Sequence, residues 1–283
     1  MIYTNLSRGK MRQLVSIFFL IFSAFGIFAQ NTSNKTSEKE LAEQVWEKAI
    51  QAKGGHEKIS KIDNFLETYV SKGIFLGDKK YDTYRIRLHI IPYKYWDYYD
   101  AGKSVFGRIM TMENYENLTE WFTQSGGKNR LAEPITKFQN SKGYQNPQIA
   151  LLLEVKGLKL KLLGARIDKI TLLRSEKNNK LQEKEVYIVE TMIDDRKVEI
   201  AFDKESFLPI QFSFYWMENL QREPYMFQFY DYVENNGLKV PKHTYFNDGH
   251  FDTLEYEFNV DYDPEIFERS PLEMSPDAWR KKH

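Results

Sequence analysis

The chain's imidazoles are His56, His89, His243, His250 and His283, and it has no cysteine at all. Without a thiol, neither a cysteine nucleophile nor a thiolate zinc site can form. No HExxH, GxSxG or GxxxxGK run occurs, so the common signatures of zinc hydrolases, serine hydrolases and phosphate-binding loops are missing. His243 and His250 flank an Asn-Asp-Gly turn with Asp248 and Asp252 nearby, a grouping that brings two imidazoles and two carboxylates to one hairpin. Polar residues at an exposed hairpin tip are the simpler reading. The acidic pairs Asp194-Asp195 and Asp261/Asp263 fall where turns are expected, whereas general acid–base work needs a positioned carboxyl with a perturbed pKa. These residues point away from an enzyme, and they call for no metal and no cofactor.

The aromatic residues say more. Phe, Tyr and Trp make up 15% of the chain, enough that they must line either a core or a binding cavity. They sit mostly on segments that alternate. In Tyr84 to Ile90 one face carries Tyr84, Ile86, Leu88 and Ile90, and the other Arg85, Arg87 and His89. After Pro92 an aromatic strand, Tyr93 to Asp100, resumes. Further strands read at Arg166 to Leu173, Glu185 to Ile193, Lys197 to Asp203, Pro209 to Trp216, Tyr225 to Val233, Lys242 to Asn247 and Thr253 to Asp261, separated by turn chemistry such as ENNG and NDGH.

The elements that position this sheet are few. From Glu40 the residues Leu41, Val45, Ala49 and Ala52 recur at i, i+4 with Trp46 beside them, behind a capping box of Ser37 and Glu40. Gly54-Gly55 ends that helix, and Glu57 to Ile62 forms a further turn. Tyr115 to Thr123 reads as a helix. Over 147–163 helix and strand compete, because Ile149, Leu152, Leu153 and Val155 share a helical side while Leu158, Leu160 and Leu162 alternate with lysines. The fold class is therefore mainly β with α (α+β), a curved antiparallel sheet or incomplete β-barrel covered by a few helices.

The beginning of the chain reads as an export signal. Lys10, Met11 and Arg12 precede an uncharged apolar run from Leu14 to Phe28, too short for a comfortable membrane span of about 20 residues. Cleavage after Ala29 is the simplest reading, with Ile27 at position −3, and Met11 is an alternative start. The expected organisation is a signal peptide over 1–29, a linker over 30–39, one domain over 40–275 and a C-terminal tail over 276–283. The location is then the periplasm, and no transmembrane span remains in the mature protein. With 40 basic and 40 acidic residues interleaved, nothing favours nucleic acid or an anionic membrane as partner.

Four segments, in order, resemble the outer-membrane lipoprotein-sorting proteins, the LolA/LolB-like superfamily of exported carriers. They are AIQAKGGHEKISKI from Ala49 to Ile62, VYIVET with IAFDKESFLPIQFSF between Val186 and Phe214, FYDYVENNGLKVPKH from Phe229 to His243, and FNVDYDPEIFERSP from Phe258 to Pro271. The resemblance implies an incomplete barrel closed by helices, with an apolar interior for acyl chains or another hydrophobic ligand, and no catalysis. The expected function is an exported periplasmic carrier or binding protein for a lipid or a lipoprotein acyl chain. A structural or interaction protein of the envelope, its barrel filled by its own side chains and its partner another envelope protein, is the alternative. The expected ligand-binding residues are Ile86, Leu88, Trp96, Tyr98, Ile188, Phe212, Phe214, Phe227, Phe229 and Phe258, taken from the apolar faces of successive strands. Wherever both faces carry aromatics, as at Tyr93 to Tyr99, the choice of face is open.

Overall fold

The structure, a computed structural model, describes residues 37–76, 79–92, 94–102, 107–114, 116, 119–124, 130–131, 147–157, 160–173, 181–193, 196–214, 224–246, 251–268 and 274–281. The signal peptide, the double acid at 194–195, His250 and Asp248 lie outside these residues.

Helix α1 (residues 37–53) opens the described chain, starting inside the stretch expected as linker. A short α2 (Gly55–Ser60) follows. Then come β1 (Asn64–Leu76), β2 (Lys79–Ile90), β3 (Lys94–Asp100), β4 (Arg108–Asn114), β5 (Thr119–Gln124) and β6 (Arg130–Leu131). After α3 (Pro147–Val155) the chain continues as β7 (Lys161–Leu172), β8 (Gln182–Ile193), β9 (Arg196–Asp203), β10 (Pro209–Phe214), β11 (Tyr225–Asn235), β12 (Leu238–Phe246) and β13 (Phe251–Phe258). All thirteen form one antiparallel sheet in the order β6-β5-β4-β3-β2-β1-β13-β12-β11-β10-β9-β8-β7. The first six strands march outward from β1. The last seven start at the far edge and return until β13 pairs with β1, with Phe65 opposite Phe258 and Ser71 opposite Asp252. Strands β6 and β7 end as separate edges, so the sheet is open.

Residues 119–123, expected within a helix over Tyr115 to Thr123, lie instead in strand β5 (Thr119–Gln124). The contested stretch is split: Pro147–Val155 is helix and the strand begins at Lys161. Strands β1 and β4 have no counterpart in the expected set. Both carry polar side chains on a buried face, Glu67 and Ser71 on β1 and Thr111 and Glu113 on β4, so the alternation that marks a half-buried strand is lost.

One face of the sheet bears the helices. Ala42, Val45, Trp46, Ala49 and Ile50 of α1 and Ile149 to Leu152 of α3 pack on Val189, Val198, Ile200, Phe202, Phe212, Phe214 and Phe229. Edge-on contact between Trp46 and Phe202, at 5.9 Å, lies in this core. Gly54 shows why the helix must turn where it does. Its φ of 151° lies in the glycine region, and a Cβ there would sit 2.6 Å from Leu238 Cδ2 and 2.9 Å from the Gly237 carbonyl. The double glycine and the Asn-Gly-Leu segment, two of the motifs read in the sequence, are thus the two sides of one contact. Lys156 Nζ ties α3 to α2, donating to Ser60 O at 2.7 Å and to Asp63 Oδ1 at 3.0 Å.

The opposite face has its own covers. Ile266 and Phe267 of a 3₁₀ turn, with Trp279, seal Leu66, Ile86, Leu88, Trp96, Tyr98, Met110 and Met112. The tail expected beyond residue 275 is therefore docked, with Trp279 buried. A third cluster joins Ile170, Val186, Ile188 and Ala201. Near it the buried Gln228 carboxamide donates to Thr171 O and accepts from Leu173 N, holding the end of β7 against β11.

Candidate functional site on the helix-bearing face

The helix-bearing face has two halves. On β8 to β11 it is apolar. Register places Val189, Ile200, Phe212 and Phe227 in one row across four strands, and Val198, Phe214 and Tyr225 in the next. Helices α1 and α3 cover most of this surface. At the ends of β10 to β12 an aromatic rim remains partly open: Phe214 and Phe227 stack at 6.1 Å, Phe227 meets Phe246 edge-on at 4.3 Å, and Tyr225, stacked on Phe214, is 47% exposed.

The ten residues expected to line one cavity are not together. Phe212, Phe214 and Phe229 lie in the core beneath α1 and α3, and Phe227 and Phe258 pack partly buried against it. Ile86, Leu88, Trp96 and Tyr98 lie on the opposite face, under the C-terminal segment. Ile188 belongs to the third cluster, also away from the helices. Picking the apolar side of each strand fails on β2 and β3 because the helix-bearing side there is the polar one.

That polar half, on β13 and β1 to β4, has no counterpart in the expected site. Tyr256, Glu67, Arg87, Asp97 and Thr111 form one row in register across five strands. The next row toward α2 is Phe258, Phe65, His89, Tyr95 and Glu113. Glu67, fully buried, takes hydrogen bonds on Oε2 from Tyr69 at 3.1 Å and from His89 Nε2 at 3.0 Å. Burial alone drives its carboxyl upward, but His89, Arg87 and Tyr69 outweigh that and hold it below the usual range. His89 is fixed by stacking on Phe65 at 4.5 Å and leaning on Tyr95 at 5.0 Å. Asp97 is gripped by both Nε and Nη2 of Arg85, a two-point carboxylate clamp. Arg87 lies over the Tyr69 ring at 4.7 Å and donates to its hydroxyl at 3.1 Å. Its Nε stands 3.8 Å from Asp97 Oδ1 and makes no hydrogen bond. Burial holds the Tyr95 and Tyr256 phenols well above their ordinary range, so both remain neutral O–H groups. Ser71 donates to Asp252 Oδ1, its partner in register across β1 and β13. Opposite charges here mostly fix one another.

Lys53 joins the two halves. Only 1% exposed, at the end of α1, it donates to Gln148 Oε1 of α3 at 2.6 Å and to Lys239 O of β12 at 3.2 Å. Gln148 in turn donates to the Tyr232 hydroxyl at 2.6 Å. Burial pushes the Lys53 ammonium down from 10.5 to about 7, opposed by the charge of Glu67.

The thinkable metal grouping does not assemble from its described members. His243 Nδ1 donates to Asp231 Oδ2 at 2.6 Å and its ring stacks on Phe251, whereas Asp252 pairs with Thr244 one residue along and points to the other face. Asp263 caps the 3₁₀ turn by accepting from Glu265 N.

No family model matches the chain, and no curated protein does. Solved structures similar to it include a LolA superfamily protein from Nitrosomonas europaea, at 14% identity and a TM-score of 0.46, over 80% of this chain and 96% of that one. A DUF1329 family protein from Desulfovibrio piger is similar at 12% identity and 0.44, over 80% and 96%. An outer membrane lipoprotein-sorting protein domain from Vibrio parahaemolyticus is similar at 11% and 0.42, over 78% and 97%.

Proposed function

We propose that this chain is an exported, periplasmic, non-catalytic binding protein or carrier for a hydrophobic or amphipathic ligand, a lipid or a lipoprotein acyl chain. The observation that carries the reading is the aromatic rim of Tyr225, Phe227 and Phe246, left partly exposed at the end of a core otherwise closed by α1 and α3. An apolar chain laid along it contributes about 0.8 kcal/mol per buried CH₂, so useful affinity needs no specific polar chemistry. The ordered sequence motifs point to the same class. Among the described residues no helix is long and apolar enough to cross a membrane.

A fluorescent fatty acid tests the reading. Wild type binds it, and Phe227→Asp abolishes binding while the far-UV β spectrum is unchanged, because Phe227 is only partly buried. Folded wild type that binds no apolar probe overturns the reading in favour of a filled envelope protein. Export is checked separately by sequencing the mature N-terminus from the envelope fraction, which should begin near Gln30.

A further inference from the structure

The sheet is open, and its two edges differ. Strand β6 spans only Arg130–Leu131, whereas β7 runs from Lys161 to Leu172 and, among the described residues, pairs with β8 alone. In an antiparallel ladder alternate residues turn both backbone groups to the same side. On β7 the outward set beyond the bulge at Leu162/Gly164 is odd-numbered, because Lys169 N and Thr171 O bond away from β8. Gln228 closes one end of this edge by meeting Thr171 O and Leu173 N, and the Asp168 carboxylate takes the Lys169 N–H. The stretch around Ala165 and Ile167 has no such cap among the described residues. Ile167 there is 52% exposed, on the helix-bearing side beside Tyr187. Arg166 and Asp168 share the other side, with about half of each side chain exposed.

We infer that β7 is an interface between two copies of this chain, joined antiparallel about a two-fold axis at Ile167, so that the sheet runs from one copy into the other. An unpaired strand edge is a template for another strand, and a two-fold contact closes on itself. The charges select the register. With Ile167 opposite the partner's Ile167, Arg166 faces the partner's Asp168 and Asp168 the partner's Arg166, in the closely spaced non-hydrogen-bonded pairs. Lys169 then faces the partner's Ala165, which is small. A slip by one pair in either direction sets Arg166 against Arg166 or Asp168 against Asp168, and like charges directly opposite are destabilising. Charges of one sign, a common way to blunt an edge, would repel in every register; here the two signs alternate. Nη1 and Nη2 of Arg166 hold Glu190 and Glu199, and only its Nε, 3.3 Å from its own Asp168, changes carboxylate on pairing. The Lys169 N–H, released by Asp168, passes to the partner's Ala165 carbonyl. Stable interfaces bury about 1,200–2,000 Å² in all, more than one short strand pair covers, so the dimer is weak, with a Kd on the order of 10–100 µM.

Sedimentation equilibrium of the purified protein, from low micromolar to submillimolar concentration, should show monomer passing into dimer and nothing larger. Arg166→Asp and Asp168→Arg should each stay monomeric with an unchanged far-UV spectrum, since both side chains are substantially exposed. Mixed in equal amounts, the two variants should form a heterodimer, because in this register every acid then faces an arginine. Wild type that stays monomeric throughout, or variants that dimerise alone, overturns the interface, and a mixture that stays monomeric overturns the register. Should Arg166→Asp unfold beside Glu190 and Glu199, cross-linking decides instead. The chain has no cysteine, so Ile167→Cys and Leu181→Cys each carry a single thiol. Under mild oxidation Ile167→Cys should form a disulfide-linked dimer at least about tenfold faster than Leu181→Cys, although Leu181, at 67%, is the more exposed. Equal rates overturn the interface.

Discussion

The two halves of one sheet face solve different problems. On β8 to β11 the face is apolar, covered by α1 and α3, and its side chains are held by shape: Ile200 and Phe202 are fully buried among other hydrocarbon. On β13 and β1 to β4 the same face buries Glu67, His89, Asp97 and Glu113 and is held by paired charges and hydrogen bonds. The apolar half supplies the stability, while the polar half spends stability on defined geometry. Mutations should therefore act differently in the two.

The largest effect is expected from Phe202→Ala in the apolar half, a loss of about 3–5 kcal/mol from the transfer and cavity terms together, read by denaturant unfolding. A loss below about 1 kcal/mol would show that this half is loosely packed. Asp97→Ala should come next, at about 1–3 kcal/mol, because it leaves two guanidinium groups without their carboxylate; the partial exposure of Arg85 keeps the figure modest.

Lys53 sharpens the comparison through pH. Its folded pKa of about 7 lies below the ordinary 10.5, so between these values the unfolded chain binds the extra proton. Its contribution thus weakens stability as pH falls from about 10 to about 7 and stays constant below that. Lys53→Met should flatten the rise in stability between pH 7 and 10, and an unchanged slope would contradict the buried, depressed ammonium. Glu67 acts with the opposite sense. Its lowered carboxyl stabilises the fold above the ordinary carboxylate range and loses that contribution as pH falls through the folded value, so Glu67→Gln should reduce the acid sensitivity of unfolding.

The same contrast explains what could be read in advance. Strands β8 to β12 and helix α1 were legible because their apolar residues follow periods of 2 and 3.6, and the meander followed from the turns between them. Strand β1 was not, because Phe65, Glu67, Tyr69 and Ser71 share a buried face that is half polar. Strand β4 fails in the same way through Thr111 and Glu113. The polar site was hidden by the same rule that found the core: on β2, Arg85, Arg87 and His89 looked like the solvent side, and Trp96 and Tyr98 on β3 looked like the interior. A usable signal was present nonetheless. Tyr95 and Tyr99 flank Asp97 on that supposed outer face, and two aromatics around an acid are an unusual solvent surface.

The smallest expected effect is the most specific to the polar half: Tyr95→Phe should change stability by less than about 1 kcal/mol, in either direction, because its buried hydroxyl makes no hydrogen bond within the protein.

The central claim is that this face holds an amphiphile, and native mass spectrometry of the protein purified from its own envelope fraction, without detergent, tests it most directly. The account predicts a bound species with the mass of a lipid, released on collisional activation and absent from Phe227→Asp. Wild type that flies only at its own mass, alone or as a complex with another envelope protein, would contradict it.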